Sequence, residues 1–112
     1  MKPVKLYKIV VTVPEDEADK LREVIGNAGG GKVGNYTHCS FSVKGVGRFL
    51  AADGANPTIG RVGKLEQVLE ERIEITCDGE LVKTVVATIR EAHSYEEPAI
   101  DVYELVDPTS LA

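Results

Sequence analysis

The groups best equipped for chemistry fall in two short segments. Toward the C-terminus, Ala92-His93-Ser94-Tyr95-Glu96-Glu97-Pro98-Ala99-Ile100-Asp101-Val102-Tyr103 sets an imidazole, a phenol and two carboxylates ahead of a proline. Upstream, Gly34-Asn35-Tyr36-Thr37-His38-Cys39-Ser40-Phe41-Ser42 adds a second imidazole and a thiol. These segments hold the only two histidines of the chain. Imidazole with carboxylate, with or without thiolate, is the donor set of zinc and copper. If the segments meet, His38, His93 and Glu96 are the candidate ligands of a divalent metal. Asn35, Tyr36, Tyr95 and Glu97 are then the candidate lining of a small-molecule site beside it. A purely structural reading competes with this one. His93 would close a helix where the dipole favours a cation, Tyr95 and Pro98 would pack the turn, and Glu96 and Glu97 would be solvated. A Cys39–His93 pair has the types of a nucleophile and base, but no third group or oxyanion hole accompanies it, so no catalytic residue is assigned.

These groups need elements to position them. Leu6 to Val13 reads as a strand with Tyr7, Ile9, Val11 and Val13 on one face and Leu6 and Val10 on the other, which suggests a central strand. Pro14 and the acidic run Glu15, Asp16, Glu17 and Asp19 suit a first helical turn. Ala18, Leu21, Val24, Ile25 and Ala28 form a buried stripe, and Gly29-Gly30-Gly31 stops the helix. Val33 to Val43 reads as a second strand, which would point His38 and Cys39 to opposite faces. Gly45 and Gly47 mark a turn, and Arg48 to Leu50 a short return strand. Ala51 to Lys64 is a long glycine- and proline-punctuated loop of the kind that often contacts ligands or partners. Gln67 to Cys77 alternates as a third strand, with Glu66, Glu70, Glu71 and Glu74 read as a solvated face. Asp78 suits an N-cap, and Leu81, Val82, Val85, Val86, Ile89 and Ala92 the stripe of a second helix. Ile100 to Val106 is the last strand and Pro108 to Ala112 a frayed tail. The order defines an α+β, ferredoxin-like fold: an antiparallel sheet with two helices on one face and a long loop or hairpin insertion, as one domain over residues 1–112.

Two glycine motifs are decoys. Gly26 to Lys32 nearly spells a phosphate loop, and Gly29, Gly31 and Gly34 a dinucleotide fingerprint. Both need a strand before the loop and a helix after it. Here a helix precedes and a strand follows. The net charge of −5 and the scattered basic residues argue against a nucleic-acid partner. No apolar run approaches the ~18 residues of a membrane span. Met1-Lys2-Pro3-Val4-Lys5 does not read as a secretion signal, and Cys39 and Cys77 form no paired motif. Together these point to a cytoplasmic protein with reduced thiols.

Several segments carry a family resemblance: Tyr7-Lys8-Ile9-Val10-Val11-Thr12-Val13-Pro14-Glu15, Gly34 to Phe41, Gly54-Ala55-Asn56-Pro57-Thr58-Ile59-Gly60, Glu71-Arg72-Ile73-Glu74 and Ala92 to Asp101. From about Leu6 to Leu105 the chain resembles the insert domain of the NGG-interacting-factor-three-like (YqfO) proteins. The His-Ser-Tyr-Glu part is also similar to the closing motif of CutA, of the PII-like class. The resemblance implies a stand-alone insert domain with a PII-like or CutA-like fold that associates with itself, a trimer being favoured. Larger members carry a dinuclear metal site in flanking halves and a GTP-cyclohydrolase-type label. The expected function is a homo-oligomeric binding or regulatory module for a metal or small ligand; the alternative is a metal-dependent hydrolase of the cyclohydrolase type.

Overall fold

A computed structural model describes residues 5–111. The reading of Met1–Val4 as no signal segment and the last residue of the tail, Ala112, lie outside them. Strand β1 (Leu6–Pro14) has apolar residues on both faces and lies inside the sheet. After a 3-10 turn at Glu15–Glu17 comes helix α1 (Ala18–Asn27). Strands β2 (Phe41–Leu50) and β3 (Leu65–Asp78) form a long hairpin arm. A second 3-10 turn, Gly79–Leu81, leads into helix α2 (Val82–Ala92), and β4 (Ile100–Glu104) closes the sheet. The order across the sheet is β2-β3-β1-β4, antiparallel throughout. This is the expected ferredoxin-like arrangement.

Register explains the core. Ile9 faces Ile75 and Val11 faces Ile73 across the β1–β3 ladder. These four, with Val13 and Cys77, meet Ala18, Leu21 and Ile25 of α1 and Val85 and Ile89 of α2. Burying each aliphatic side chain contributes about 1.5–3 kcal/mol. The glycine run works as expected: Gly29 stands at φ +103°, Gly30 N–H donates to Ile25 O at 3.0 Å and Gly29 N–H to Gly26 O at 3.1 Å. That is the doubly bonded helix stop that glycine makes possible.

Several expectations are corrected. Val33 to Ser40 is not strand. Val33 and Tyr36 exchange two 2.9 Å backbone bonds around Gly34-Asn35, a tight reversal. Gly34 has φ +57°, as a two-residue hairpin with glycine first requires. Gly45 and Gly47 do not turn the chain but lie within β2, which runs on through Arg48 to Leu50. Asp78 precedes the 3-10 turn without a side-chain cap bond. Pro14 ends β1 rather than opening α1, and β4 stops at Glu104. The tail is tied by a 3-10 turn whose Asp107 carboxylate accepts from Thr109 N–H at 2.9 Å.

Candidate functional site

The turn after α2 is a junction of hydrogen bonds. His93 is buried; its Nε2–H donates to Thr12 O of β1 at 2.7 Å, and its Nδ1 accepts from Tyr95 N–H at 3.1 Å. Both bonds require the neutral ring with its proton on Nε2. His93 does close α2, its backbone N–H donating to Ile89 O at 2.8 Å, but its ring bridges strand to turn instead of serving as a cation on the helix end. Ser94 Oγ donates to Glu17 Oε2 at 2.7 Å, fixing the turn to the entry of α1. Tyr95 Oη donates to Glu70 Oε2 at 2.7 Å. Asn56 N–H donates to Glu96 Oε1 at 3.0 Å, and Thr58 Oγ1 to Ser94 O at 2.6 Å, so the loop after β2 is held here as well.

Glu70 departs most from expectation. In place of a solvated position, it is only 7% exposed. A buried carboxylate is costly unless hydrogen-bonded, and the Tyr95 phenol supplies that bond. Burial, then the bond to Glu70, push the Tyr95 hydroxyl well above the ordinary tyrosine range. Tyr95 also packs against the Phe49 ring edge-on, centroids 6.1 Å apart, and against His93 at 5.0 Å. Gly47 makes the space, since a Cβ there would overlap the Glu70 carboxylate. Glu71 is not simply solvated either: it accepts from Arg22 at 2.7 Å, and Arg22 also donates to Ser42 at 3.1 Å and holds Asp19.

Together these contacts frame a cleft of about 660 Å³ on the sheet face away from the helices. Its floor is Thr12, Val43, Gly47, Phe49, Glu70 and Arg72. Tyr95, Glu96 and Glu97 make one wall, and Ala55, Pro57 and Ile59 of the long loop overhang it. The size and mostly apolar lining are those of a small-molecule site.

Of the seven expected site residues, the structure gathers Tyr95, Glu96 and Glu97 at this cleft, with His93 behind Tyr95. Asn35, Tyr36 and His38 lie elsewhere. His38 is not a strand residue; at φ +60° it is the only non-glycine in the left-handed region among the described residues. Its Nε2 pairs with Asn27 Oδ1 at 2.9 Å, and its ring rests on Gly26 at the end of α1. Neighbouring Cys39 is tied to Gly31, which donates to Thr76 O opposite Lys8. His93 is tied to Thr12. Lys8 and Thr12 are about 13 Å apart along β1 at ~3.3 Å per residue, so the two histidines lie toward opposite ends of β1. Among the described residues no group of three or more His, Cys, Asp or Glu is placed to hold a metal ion. His93 also has no lone pair free without breaking the turn. Within one chain, His38, His93 and Glu96 do not fit a metal. Sequence reasoning misses Glu70, Phe49 and Gly47; it assigns the last two to a short return strand and a turn.

Comparison with known structures places the sheet in a recognised class. The divalent ion tolerance protein CutA1 from Ehrlichia chaffeensis superposes with a TM-score of 0.67 at 14% identity, covering 95% of this chain and 86% of that one. Bacillus subtilis GlnK, solved as an ATP complex, superposes with a TM-score of 0.61 at 16% identity, over 90% of this chain and 82% of its own. The fold is that of the PII and CutA proteins. A Bacillus cereus protein related to NIF3 matches more closely still, with a TM-score of 0.83 and 39% identity over 96% of this chain and 27% of that one. Proteins named GTP cyclohydrolase 1 type 2 homolog are 47% identical over 92% of this chain in Mycobacterium bovis and 48% identical over 91% in Halalkalibacterium halodurans. The chain spans 27% of the length of these curated relatives. No family model matches it. The chain is a homologue of one segment of these GTP cyclohydrolase 1 type 2 homologs and of the NIF3-related protein. No helix of the described residues is long and apolar enough to cross a membrane.

Proposed function

We propose that this chain is a homo-oligomeric binding module of the NGG-interacting-factor-three-like family, acting from the cytoplasm on a small-molecule ligand rather than catalysing a reaction. The observation that carries the reading is the cleft beside Tyr95. The two buried polar side chains among the described residues, Glu70 and His93, both bond to Tyr95 and hold its wall in place. Burying polar groups to fix a concave apolar surface serves recognition better than bare stability. Tyr95 and Glu97 are the ligand-facing residues of this reading.

Self-association has separate support. Val46, Leu50, Leu65 and Leu69 lie on the helix side of the β2–β3 arm, beyond the helices, at 51 to 64% exposure. An apolar stripe on an arm with an open edge strand is a surface that proteins normally cover. A trimer, as the resemblance implies, would cover it. Asn35 and Tyr36 would join the cleft only if a second copy brought its own turn there, and a metal on His38 would need ligands from such a neighbour.

Native mass spectrometry of protein purified without chelator, before and after chelation, tests the assembly and the metal-dependent alternative. An oligomer that Leu65→Lys with Leu69→Lys reduces to monomer supports the reading; a wild-type monomer overturns the assembly part. A metal mass removed by chelation, with turnover of a purine nucleotide, would instead favour the metal-dependent hydrolase suggested by the relatives' names.

A further inference from the structure

We infer that residues 52–61 form a lid over the cleft, latched by Glu96 and Thr58, so that entry to the cleft is controlled by two hydrogen bonds to the turn. The inference rests on the cleft being the binding place, but its test reads the loop and needs no ligand.

The ends of the loop are pinned at a neck. Ala51 is buried and bridges to Val62, and Gly63 N–H donates to Ala51 O at 2.8 Å. Beyond the neck, Ala55 N–H bonds only within the loop, to Ala52 O at 3.1 Å. A compact loop with adjoining ends is frequently functional, and a segment with few bonds to the rest of the chain opens locally at low free energy. Gly54 and Gly60 stand at φ +93° and +81°, and Gly63 beside the neck at +81°. Those glycines give it a shape that few other residues adopt.

The body of the loop reaches the rest of the chain through two hydrogen bonds, Asn56 N–H to Glu96 Oε1 and Thr58 Oγ1 to Ser94 O. Both end on one three-residue stretch, next to the wall formed by Tyr95. Pro57 sits between the two donors, and Pro57 and Ile59 face the cleft. Breaking both bonds frees the overhang while the neck, Tyr95–Glu70 and His93–Thr12 remain. Glu96, one of the expected metal ligands, is on this account a positioning residue that sets the loop.

Hydrogen exchange on the whole protein tests the lid, with a single introduced tryptophan as a second readout. The chain has no tryptophan of its own, so Ile59→Trp reports on the loop alone. Glu96→Ala should speed exchange of the Asn56 amide roughly fivefold, the effect of losing one ordinary hydrogen bond. Thr58→Val should do the same for the segment, and the pair together should multiply. Glu96→Gln, which keeps an acceptor oxygen, should stay near wild type. Acrylamide quenching of the introduced indole, in the Ile59→Trp background, should rise in the same order. Amides of β1 and β3 should be unchanged in all variants. Unchanged exchange at Asn56 in Glu96→Ala would overturn the latch. Equal acceleration of the β1 and β3 amides would overturn it differently, by showing that Glu96 holds the fold rather than a movable loop.

Discussion

Tyr95→Phe is the sharpest test of how the cleft wall is held. The substitution keeps the ring, and with it the edge contact to Phe49 and the packing on His93. It removes only the hydroxyl that donates to Glu70 at 2.7 Å. Glu70 is 7% exposed, so water can replace that bond only in small part. Leaving a buried acceptor unpaired costs about 1–3 kcal/mol, toward the upper part when the acceptor is charged. We expect a loss of about 2 kcal/mol, or roughly 8 °C in Tm for a chain of this size. Glu70→Gln removes the charge but keeps an acceptor, so it should cost less than Tyr95→Phe. Urea unfolding of both single variants and the double, at one protein concentration, gives the coupling. Groups bonded this directly should couple by at least about 1 kcal/mol. The hydroxyl also predicts a pH dependence. Its folded pKa lies above the unfolded value of about 10, so the folded state holds the proton more tightly. The contribution is therefore complete below pH ~10 and is lost as pH rises beyond it. Tyr95→Phe should flatten that alkaline decline. A loss below about 0.5 kcal/mol, or no coupling to Glu70, would refute the reasoning that this bond holds the wall.

Other perturbations give contrasting outcomes. Gly47→Ala should cost about 1–3 kcal/mol because its Cβ displaces the Glu70 carboxylate, whereas Gly45→Ala, with nothing within 4 Å, should be near neutral by the same urea assay. His93→Ala removes two hydrogen bonds of a buried side chain and should cost about 2–3 kcal/mol; His38→Ala, at an exposed ring, should cost under about 1 kcal/mol by thermal unfolding. Burial, and then Asp78, raise the Cys77 thiol, so a thiol reagent should modify Cys39 first and reach Cys77 only on unfolding.

The parts of the fold set by local pattern are legible in the sequence. Alternating apolar groups on both faces of Leu6–Val13 place β1 inside the sheet, and the helical stripes mark both helices. The triple glycine announces a helix end. The second strand is misplaced for two reasons. Gly34-Asn35 is a hairpin signal hidden inside an apparently alternating run. Gly45 and Gly47, normally strand breakers, are tolerated because Gly47 leaves room for a carboxylate on the neighbouring strand. The site is half legible. Tyr95, Glu96 and Glu97 stand out by type. Their partners do not, since Glu70 is 25 residues from Tyr95 and Thr12 is 81 from His93. Pairings of that span depend on sheet register and helix crossing, which no local pattern states. For the same reason two histidines that invite a shared site lie at opposite ends of β1.

The most direct test of the central claim, that the cleft beside Tyr95 is the binding place, is a fragment screen by amide-resolved NMR on the whole protein. Binding fragments should shift the amides of Val43, Gly47, Phe49, Ile59 and Tyr95 together, and Tyr95→Phe should weaken them. Fragments that gather instead on Leu65 and Leu69, or around His38, while leaving those amides unmoved would contradict the account.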